Sequence, residues 1–226
     1  MLDRWTMPWS QAPLNRGAVL LARWRVRPVQ VTLAGFAVGM LAVPLLAAEA
    51  YGLALVAILI NRLGDGLDGA LARHAGTGSD AGGFLDIVLD FLFYAAVVVG
   101  FALAEPSANA LPAVILLFAF VGTGSSFLAF AIMAARHRLE RPNFPHKAFF
   151  YLDGLTEGTE TILAFVVFCL WPQAFPMLAL IFAAACLLTA TTRLWGGYRS
   201  LAALARGRPG DEPEATERHG KESGEA

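Results

Sequence analysis

The sequence has 226 residues, of which 57% are hydrophobic and only 15% are charged, and its formal net charge is −1. Because an average soluble domain has about 25% charged residues, this composition excludes a soluble enzyme, and the near-neutral charge argues against a nucleic-acid-binding protein. The apolar residues form six blocks that are long enough, or nearly so, to cross a bilayer. The composition therefore predicts an all-α integral membrane protein without a nucleic-acid partner.

The N-terminal segment, residues 1–28, precedes the first apolar block and contains an amphipathic stretch at 14–24. Arg16 and Arg23 in this stretch can contact anionic headgroups while its apolar face lies in the membrane interface. We therefore predict an interfacial helix. A cleaved signal peptide is not expected, because the apolar run is too short and arginines follow it.

The predicted catalytic domain, residues 29–200, contains six transmembrane helices, at 29–48, 51–73, 82–103, 111–135, 155–170 and 174–194. All 17 lysines and arginines precede the first helix or lie toward the ends of the even-numbered helices. The positive-inside rule then places both termini in the cytoplasm. The polar segment 207–226 is predicted to be a disordered cytoplasmic tail.

Four aspartates stand at the cytoplasmic ends of the second and third predicted helices: Asp65, Asp68, Asp86 and Asp90. An ionised carboxylate at membrane depth costs about 2.5–3.5 kcal/mol on insertion scales unless it is paired or coordinated. Spacings of three and four residues put each pair on one helix face, and a short connection lets the two faces converge. Oxygen ligands suit Mg²⁺ or Mn²⁺ better than zinc, and two such ions can clamp a phosphoryl group.

Glycines accompany these aspartates: Gly66, Gly69, Gly82 and Gly83. They are unfavourable in a helix built for stability alone, but they let a bulky polar ligand approach the backbone. Arg73 adds a planar donor for phosphate. The residues alone therefore predict a site for a diphosphate-containing substrate at the boundary between membrane and cytosol.

The spacing of these residues forms one motif: Asp65-x2-Asp68-Gly69-x2-Ala72-Arg73-x8-Gly82-x3-Asp86-x3-Asp90. At every fixed position it resembles the signature of the CDP-alcohol phosphotransferase family, and Pro28-x3-Thr32 resembles that family's motif near the nucleotide. The resemblance implies transfer of the substituted phosphoryl group of a CDP-alcohol, usually CDP-diacylglycerol, to an alcohol hydroxyl with release of CMP. It also fits a fold of six spans.

The resemblance also implies roles for single residues. Asp90 would be the general base. Those expected to hold two Mg²⁺ or Mn²⁺ ions are Asp65, Asp68, Asp86 and Asp90. Those expected to contact the CDP portion are Thr32, Asp65, Asp68, Gly69, Arg73 and Gly82.

Three other interpretations of the aspartates remain. They could pair with Arg62 and Arg73, although two cations leave four anions unbalanced. A non-enzymatic divalent-metal transporter would need polar residues along a path to the outer face, where these helices are apolar. An intramembrane, magnesium-dependent prenyltransferase would also hold a diphosphate, but it normally has two separated Asp-rich motifs and more spans.

A second polar cluster, within residues 149–160, leads into the fifth predicted helix and contains Thr156, Glu157 and Glu160. We expect these residues to select the acceptor or close the site; the alternative is a helix start with Thr156 as its N-cap. Arg62 could bind an acceptor phosphate or pair with an aspartate. The acceptor, a small or lipid alcohol, is not readable from the sequence, nor is which substrate carries the CDP.

The cellular setting follows from softer signals. The small residues Gly122 and Ser126 lie four apart in the fourth predicted helix, a spacing typical of helix packing, and a homodimer is expected. The preference for arginine over lysine, together with abundant alanine, favours a bacterial source. The protein is therefore predicted to lie in the plasma (inner) membrane, with its active site facing the cytoplasm.

Overall fold

A computed structural model describes residues 3–137, 156 and 158–206. These residues are helical, with short connections and no β-strand. In chain order the α-helices are α1 (Asp3–Arg23), α2 (Pro28–Met40), α3 (Ala42–Ala47), α4 (Tyr51–Ala75), α5 (Asp80–Ala104), α6 (Pro106–Arg136), α7 (Gly158–Leu170) and α8 (Phe175–Arg206). A 3₁₀ turn, Pro172–Ala174, precedes α8. The predicted tail at 207–226 lies outside the described residues.

Within the described ranges, four helical segments are long and apolar enough to cross a membrane: Pro28–Ala47, Asp80–Ala104, Pro106–Arg136 and Pro172–Ala203. They coincide with the first, third, fourth and sixth predicted spans. The other two predicted spans correspond to α4, whose second half carries charged residues, and to α7, a shorter apolar helix of 13 residues. The prediction of an all-helical membrane protein is confirmed at this level.

The packing of α4 and α5 leaves room between the two helices that carry the aspartates. α4 packs mainly against α2 and α1, whereas α5 packs mainly against α3 and α6. Gly76, with φ of 61°, ends α4 in the left-handed conformation, and Ser79 begins α5 by accepting a hydrogen bond from the Gly82 amide at 3.1 Å. The short connection turns the chain back, and the two helices meet through their side chains.

Two apolar clusters stabilise this arrangement. The larger one is rich in aromatic rings and joins the helices from α3 to α8; in it Phe101 stacks on Phe175 with ring centroids 4.6 Å apart. The smaller one contains Ala18 of α1 against Ala70 and Leu71 of α4. One face of α1 is therefore buried against the segment of α4 that carries the aspartates. The prediction of an interfacial helix did not include this contact.

Glycines bring α2 and α4 into close contact. A Cβ atom at Gly64 would lie 3.2 Å from the Cα atom of Gly35, and one at Gly39 would lie 2.7 Å from the Cβ of Asn61. Backbones can approach this closely only where no side chain intervenes. The approach places the start of α2 beside the aspartates of α4.

Replacing Gly64 with Val is expected to push α2 away from α4 and to lower the free energy of unfolding by about 1–3 kcal/mol, as overpacking commonly does. Thermal unfolding of the purified protein in detergent measures the effect. Gly52→Val in the first turn of the same helix is the matched control, because a Cβ at Gly52 meets nothing within 4 Å. Equal melting temperatures for the two variants would contradict the packing argument.

Candidate active site

The structure brings three of the four aspartates together. One carboxylate oxygen from each of Asp65, Asp68 and Asp86 lies within 4.8 Å of the other two. Asp68 is buried, with 6% of its surface exposed, and the other two are half-buried. Asp65 and Asp68 lie on one face of α4 because they are three residues apart, and the short α4–α5 connection places Asp86 opposite them. We call these three residues the carboxylate cluster.

Thr32 on α2 fixes the buried member of the cluster. Its hydroxyl donates a hydrogen bond to Oδ2 of Asp68. Thr32 had been expected near the nucleotide from the Pro28-x3-Thr32 motif, and the structure places it beside the cluster. The hydroxyl donor thus helps to fix the orientation of a carboxylate that has one oxygen within 4.8 Å of an oxygen of Asp65 and of Asp86.

Asp90 makes a different contact. Its Oδ1 atom lies 2.5 Å from Nη2 of Arg62, and Nη1 of the same arginine lies 3.6 Å from Oδ2 of Asp65. Of the two interpretations of Arg62 from the sequence, the ion pair with an aspartate is the one that the structure displays. One guanidinium beside four carboxylates leaves an excess of negative charge at the site.

The carboxylate cluster fits a hard divalent cation by the type and charge of its donors. Its members offer oxygen alone, which Mg²⁺ and Mn²⁺ accept and which zinc seldom takes without nitrogen or sulfur. Three ionised carboxylates gathered this closely repel one another, and a cation among them would offset that repulsion. The residues that would hold such an ion are Asp65, Asp68 and Asp86.

A groove of about 300 Å³ opens on one side of the cluster, between the start of α2, the end of α4 and the start of α5. We call it the Arg73 groove. Its lining includes five residues that the sequence motif assigned to the CDP portion: Thr32, Asp68, Gly69, Arg73 and Gly82. The sixth, Asp65, lines the narrow crevice between the aspartates.

A cavity of about 390 Å³ opens on the other side, among α5, α6, α7 and α8. We call it the Arg193 cavity, and its polar lining includes Asp90, Tyr94, Thr123, Thr156, Thr161 and Arg193. Sequence reasoning missed this cavity, because its lining comes from four helices that are distant in sequence. A signal was present in Arg193, an ionisable residue at the end of an apolar segment.

Asp90 lies where the crevice meets the Arg193 cavity, since it lines both. Thr32, Asp68 and Asp86 line both the crevice and the Arg73 groove. The groove, the carboxylate cluster and the cavity therefore follow one another through the protein. A ligand in the groove and a second ligand in the cavity would meet at the aspartates.

The predicted acceptor-side residues have different positions. Thr156 is buried, lines the Arg193 cavity and contacts Thr189 of α8, with 3.1 Å between the hydroxyl oxygens. Glu160 is half-buried in the first turn of α7. Glu157 lies outside the described residues. Arg62 lies in the crevice between the aspartates.

The stripe of small residues in α6 packs within the chain. A Cβ at Gly122 would lie 3.4 Å from the Cβ of Ala190 on α8. The contact accounts for Gly122 by packing of α6 on α8, so this glycine gives no support to a seam between two copies. The homodimer stays a prediction.

Comparison with known proteins identifies the family of this all-helical chain. The family model for CDP-alcohol phosphatidyltransferase matches residues 25–192. The chain belongs to this family of transferases, as its motif predicted.

Two curated relatives extend the comparison. The "Inner membrane protein YnjF" of Escherichia coli is 56% identical over 206 residues, which cover 91% of this chain and 100% of that protein. The "Archaetidylinositol phosphate synthase" of Pyrococcus horikoshii is 38% identical over 96 residues, which cover 42% of this chain and 51% of that protein.

Solved structures of the phosphatidylinositol phosphate synthase PgsA1 of Mycobacterium tuberculosis share the fold at 23% identity. The structure with CDP-DAG bound has a TM-score of 0.57 and covers 84% of this chain and 94% of its own. The structure in complex with manganese and citrate has a TM-score of 0.60, with 83% and 88% covered. At this identity the likeness shows the fold.

Proposed function

We propose that the protein transfers the substituted phosphoryl group of CDP-diacylglycerol to the hydroxyl of an alcohol and releases CMP. The observation that carries the proposal is the order of the Arg73 groove, the carboxylate cluster and the Arg193 cavity, with Asp90 between cluster and cavity. Membership of the CDP-alcohol phosphatidyltransferase family supports this reaction over the transporter and the prenyltransferase.

The donor lies in the Arg73 groove in this proposal. Arg73 offers a planar guanidinium to phosphate oxygens, and Gly69 and Gly82 leave the lining free of side chains where the nucleotide meets α4 and α5. The diphosphate then reaches the carboxylate cluster. The structural neighbour with CDP-DAG bound, which covers most of the chain, is consistent with a donor of this kind.

Asp65, Asp68, Asp86 and Asp90 would hold two Mg²⁺ or Mn²⁺ ions, which when bound supply positive charge to the diphosphate and the departing CMP. The structural neighbour in complex with manganese supports this choice of cofactor. Thr32 orients Asp68 within the set through its hydrogen bond. The ion count and the preference between the two metals belong to the proposal.

The acceptor lies in the Arg193 cavity, with its hydroxyl toward Asp90. Asp90 takes the hydroxyl proton while the alcohol oxygen forms a bond to the phosphorus that bears the lipid. The bond from that phosphorus to the bridging oxygen breaks, and CMP leaves with the electron pair. Arg193 and the threonines of the cavity favour a polar, anionic acceptor such as an alcohol that carries a phosphate.

The membrane topology completes the proposal. With α4 and α7 as the second and fifth spans, the chain crosses the membrane six times. All its lysines and arginines then lie on the cytoplasmic side, as does the active site. The relative from Escherichia coli is described as an inner membrane protein, which supports the same location for this chain. Segment 1–28 lies at the interface in this arrangement and 29–200 forms the catalytic domain.

Release of CMP tests the proposal. Purified protein is incubated with CDP-diacylglycerol, Mn²⁺ or Mg²⁺, and single alcohols: glycerol 3-phosphate, an inositol phosphate, phosphatidylglycerol, serine or choline. We expect CMP with at least one phosphate-bearing alcohol and none without metal. A parallel reaction with a soluble CDP-alcohol and a lipid alcohol detects the reversed roles of the two substrates. Absence of CMP in every reaction would overturn the function.

A further inference from the structure

Arg62 occupies an unusual place in the site. It lies on α4 one turn before Asp65, and its side chain is only 15% exposed. Its guanidinium contacts Asp90 at 2.5 Å and Asp65 at 3.6 Å, so that it joins the carboxylate beside the Arg193 cavity to the carboxylate cluster. The family motif begins at Asp65 and does not include it.

The guanidinium is held in one orientation by neighbours on two helices. The side-chain oxygen of Asn61 accepts hydrogen bonds from Nε at 3.0 Å and from Nη2 at 2.7 Å. The hydroxyl of Tyr94 accepts one from Nη1 at 3.1 Å. The rings of Phe93 and Tyr94 lie 5.3 and 5.2 Å from the guanidinium carbon. A planar, buried group with this many contacts has little freedom to rotate.

The orientation of Arg62 determines that of Asp90. Because Nη2 holds Oδ1, the carboxylate of Asp90 is fixed in one orientation at the edge of the Arg193 cavity, where it can take a proton from an alcohol. The positive charge of Arg62 also offsets the electrostatic repulsion between Asp90 and the carboxylate cluster. Without this charge, the repulsion would move the side chain of Asp90 away from the cluster. A proton acceptor must be fixed within hydrogen-bond reach of its donor.

We propose that Arg62 is a positioning residue that holds Asp90 in the orientation in which it takes the proton of the acceptor alcohol. The inference rests on the proposed function. The sequence had left a choice for Arg62 between binding an acceptor phosphate and pairing with an aspartate, and the inference gives Arg62 the role of orienting Asp90. Asn61 supports the same orientation through its hydrogen bonds with the guanidinium of Arg62. It lines the crevice but is not in the lining of the Arg73 groove or the Arg193 cavity.

Steady-state kinetics of CMP release test the inference with Arg62→Met, Arg62→Lys and Asn61→Ala. We expect Arg62→Met to lower kcat about 100-fold, the lower end of the range for loss of a placed proton acceptor, with KM for donor and acceptor within about twofold of wild type. Arg62→Lys keeps the charge without the planar fork and recovers part of the loss. Asn61→Ala lowers kcat by a smaller factor, and it decides the matter where Arg62→Met fails to fold.

Arg136→Met is the matched control, since Arg136 is exposed at the end of α6, and it should retain wild-type kinetics. A rise in the acceptor KM at unchanged kcat would show that Arg62 binds the acceptor and would overturn the inference. A lower melting temperature at unchanged kcat would assign it a structural role alone and would overturn it equally. If the wild type itself releases no CMP, the proposed function fails. If the wild type is active and the Arg62 variants have the same kcat as the wild type, the proposed function stands and the positioning role fails.

Discussion

Replacing Asp90 with Asn is expected to lower CMP release by about 100- to 10,000-fold, the range that a positioned proton acceptor contributes. Asn has the shape of Asp but cannot take a proton from the acceptor hydroxyl at neutral pH. The loss should lie in kcat and not in the KM for the donor, because Asp90 lines the crevice and the Arg193 cavity but is not part of the lining of the Arg73 groove.

Binding of CDP-diacylglycerol is the readout that separates this role from others. We expect the variant to bind the donor in the presence of Mn²⁺ with near-normal affinity, because Asp65, Asp68 and Asp86 form the gathered cluster without Asp90. Asp80→Asn is the matched control, because Asp80 is exposed in the first turn of the same helix. Near-normal turnover of the Asp90 variant would contradict its assignment as the base.

The carboxylate cluster was predictable because its geometry is largely local. Spacings of three and four residues fix which face of a helix a side chain occupies, and the short connection at Gly76 and Ser79 returns the chain to the same end. The cost of burying like charges then leaves a cation as the simplest remedy. Asp65, Asp68 and Asp86 meet as this reasoning predicts.

Contacts between helices distant in the sequence were not predictable in the same way. The spacing of Gly35 and Gly64 does not show that they face each other, and the spacing of Gly122 and Ser126 indicates helix packing without identifying the partner helix. The sequence pattern of α1 predicted one apolar face, but it did not predict that Ala18 on this face would pack against Ala70. A periodic pattern defines a face, and the choice of its neighbour depends on the whole fold.

The Arg193 cavity illustrates the same limit at the site itself. The sequence drew attention to the polar cluster before α7, of which Thr156 lines the cavity while the placement of Glu157 lies outside the described residues. Arg193 lies 37 positions after Thr156 in the sequence and joins it only because α7 and α8 turn back toward α5. The residues proposed to bind the acceptor therefore lie outside the motif whose residues are proposed to bind the donor.

Replacing Asp68 with Ala is expected to lower the affinity for Mn²⁺ by at least about 100-fold and CMP release with it, because loss of a direct ligand exceeds the 10- to 100-fold cost of losing a supporting contact. Asp68 is the buried member of the cluster, with 6% of its surface exposed, and it also lines the Arg73 groove. Donor binding that depends on metal should therefore be lost with the metal.

Thermal unfolding during a Mn²⁺ titration distinguishes a metal ligand from a structural residue. A bound ion stabilises the folded wild type by RT ln(1 + [Mn²⁺]/Kd), whereas the Asp68 variant should need an at least about 100-fold higher Mn²⁺ concentration for the same rise. Without metal the variant should be as stable as the wild type or more so, because one of three repelling carboxylates is gone. Thr32→Val, which removes only the hydrogen bond to Asp68, should reduce the affinity by a smaller factor, about tenfold. A Mn²⁺-induced rise equal to that of the wild type would refute the metal site, because a cluster that needs no Asp68 to hold a cation is not the one formed by Asp65, Asp68 and Asp86.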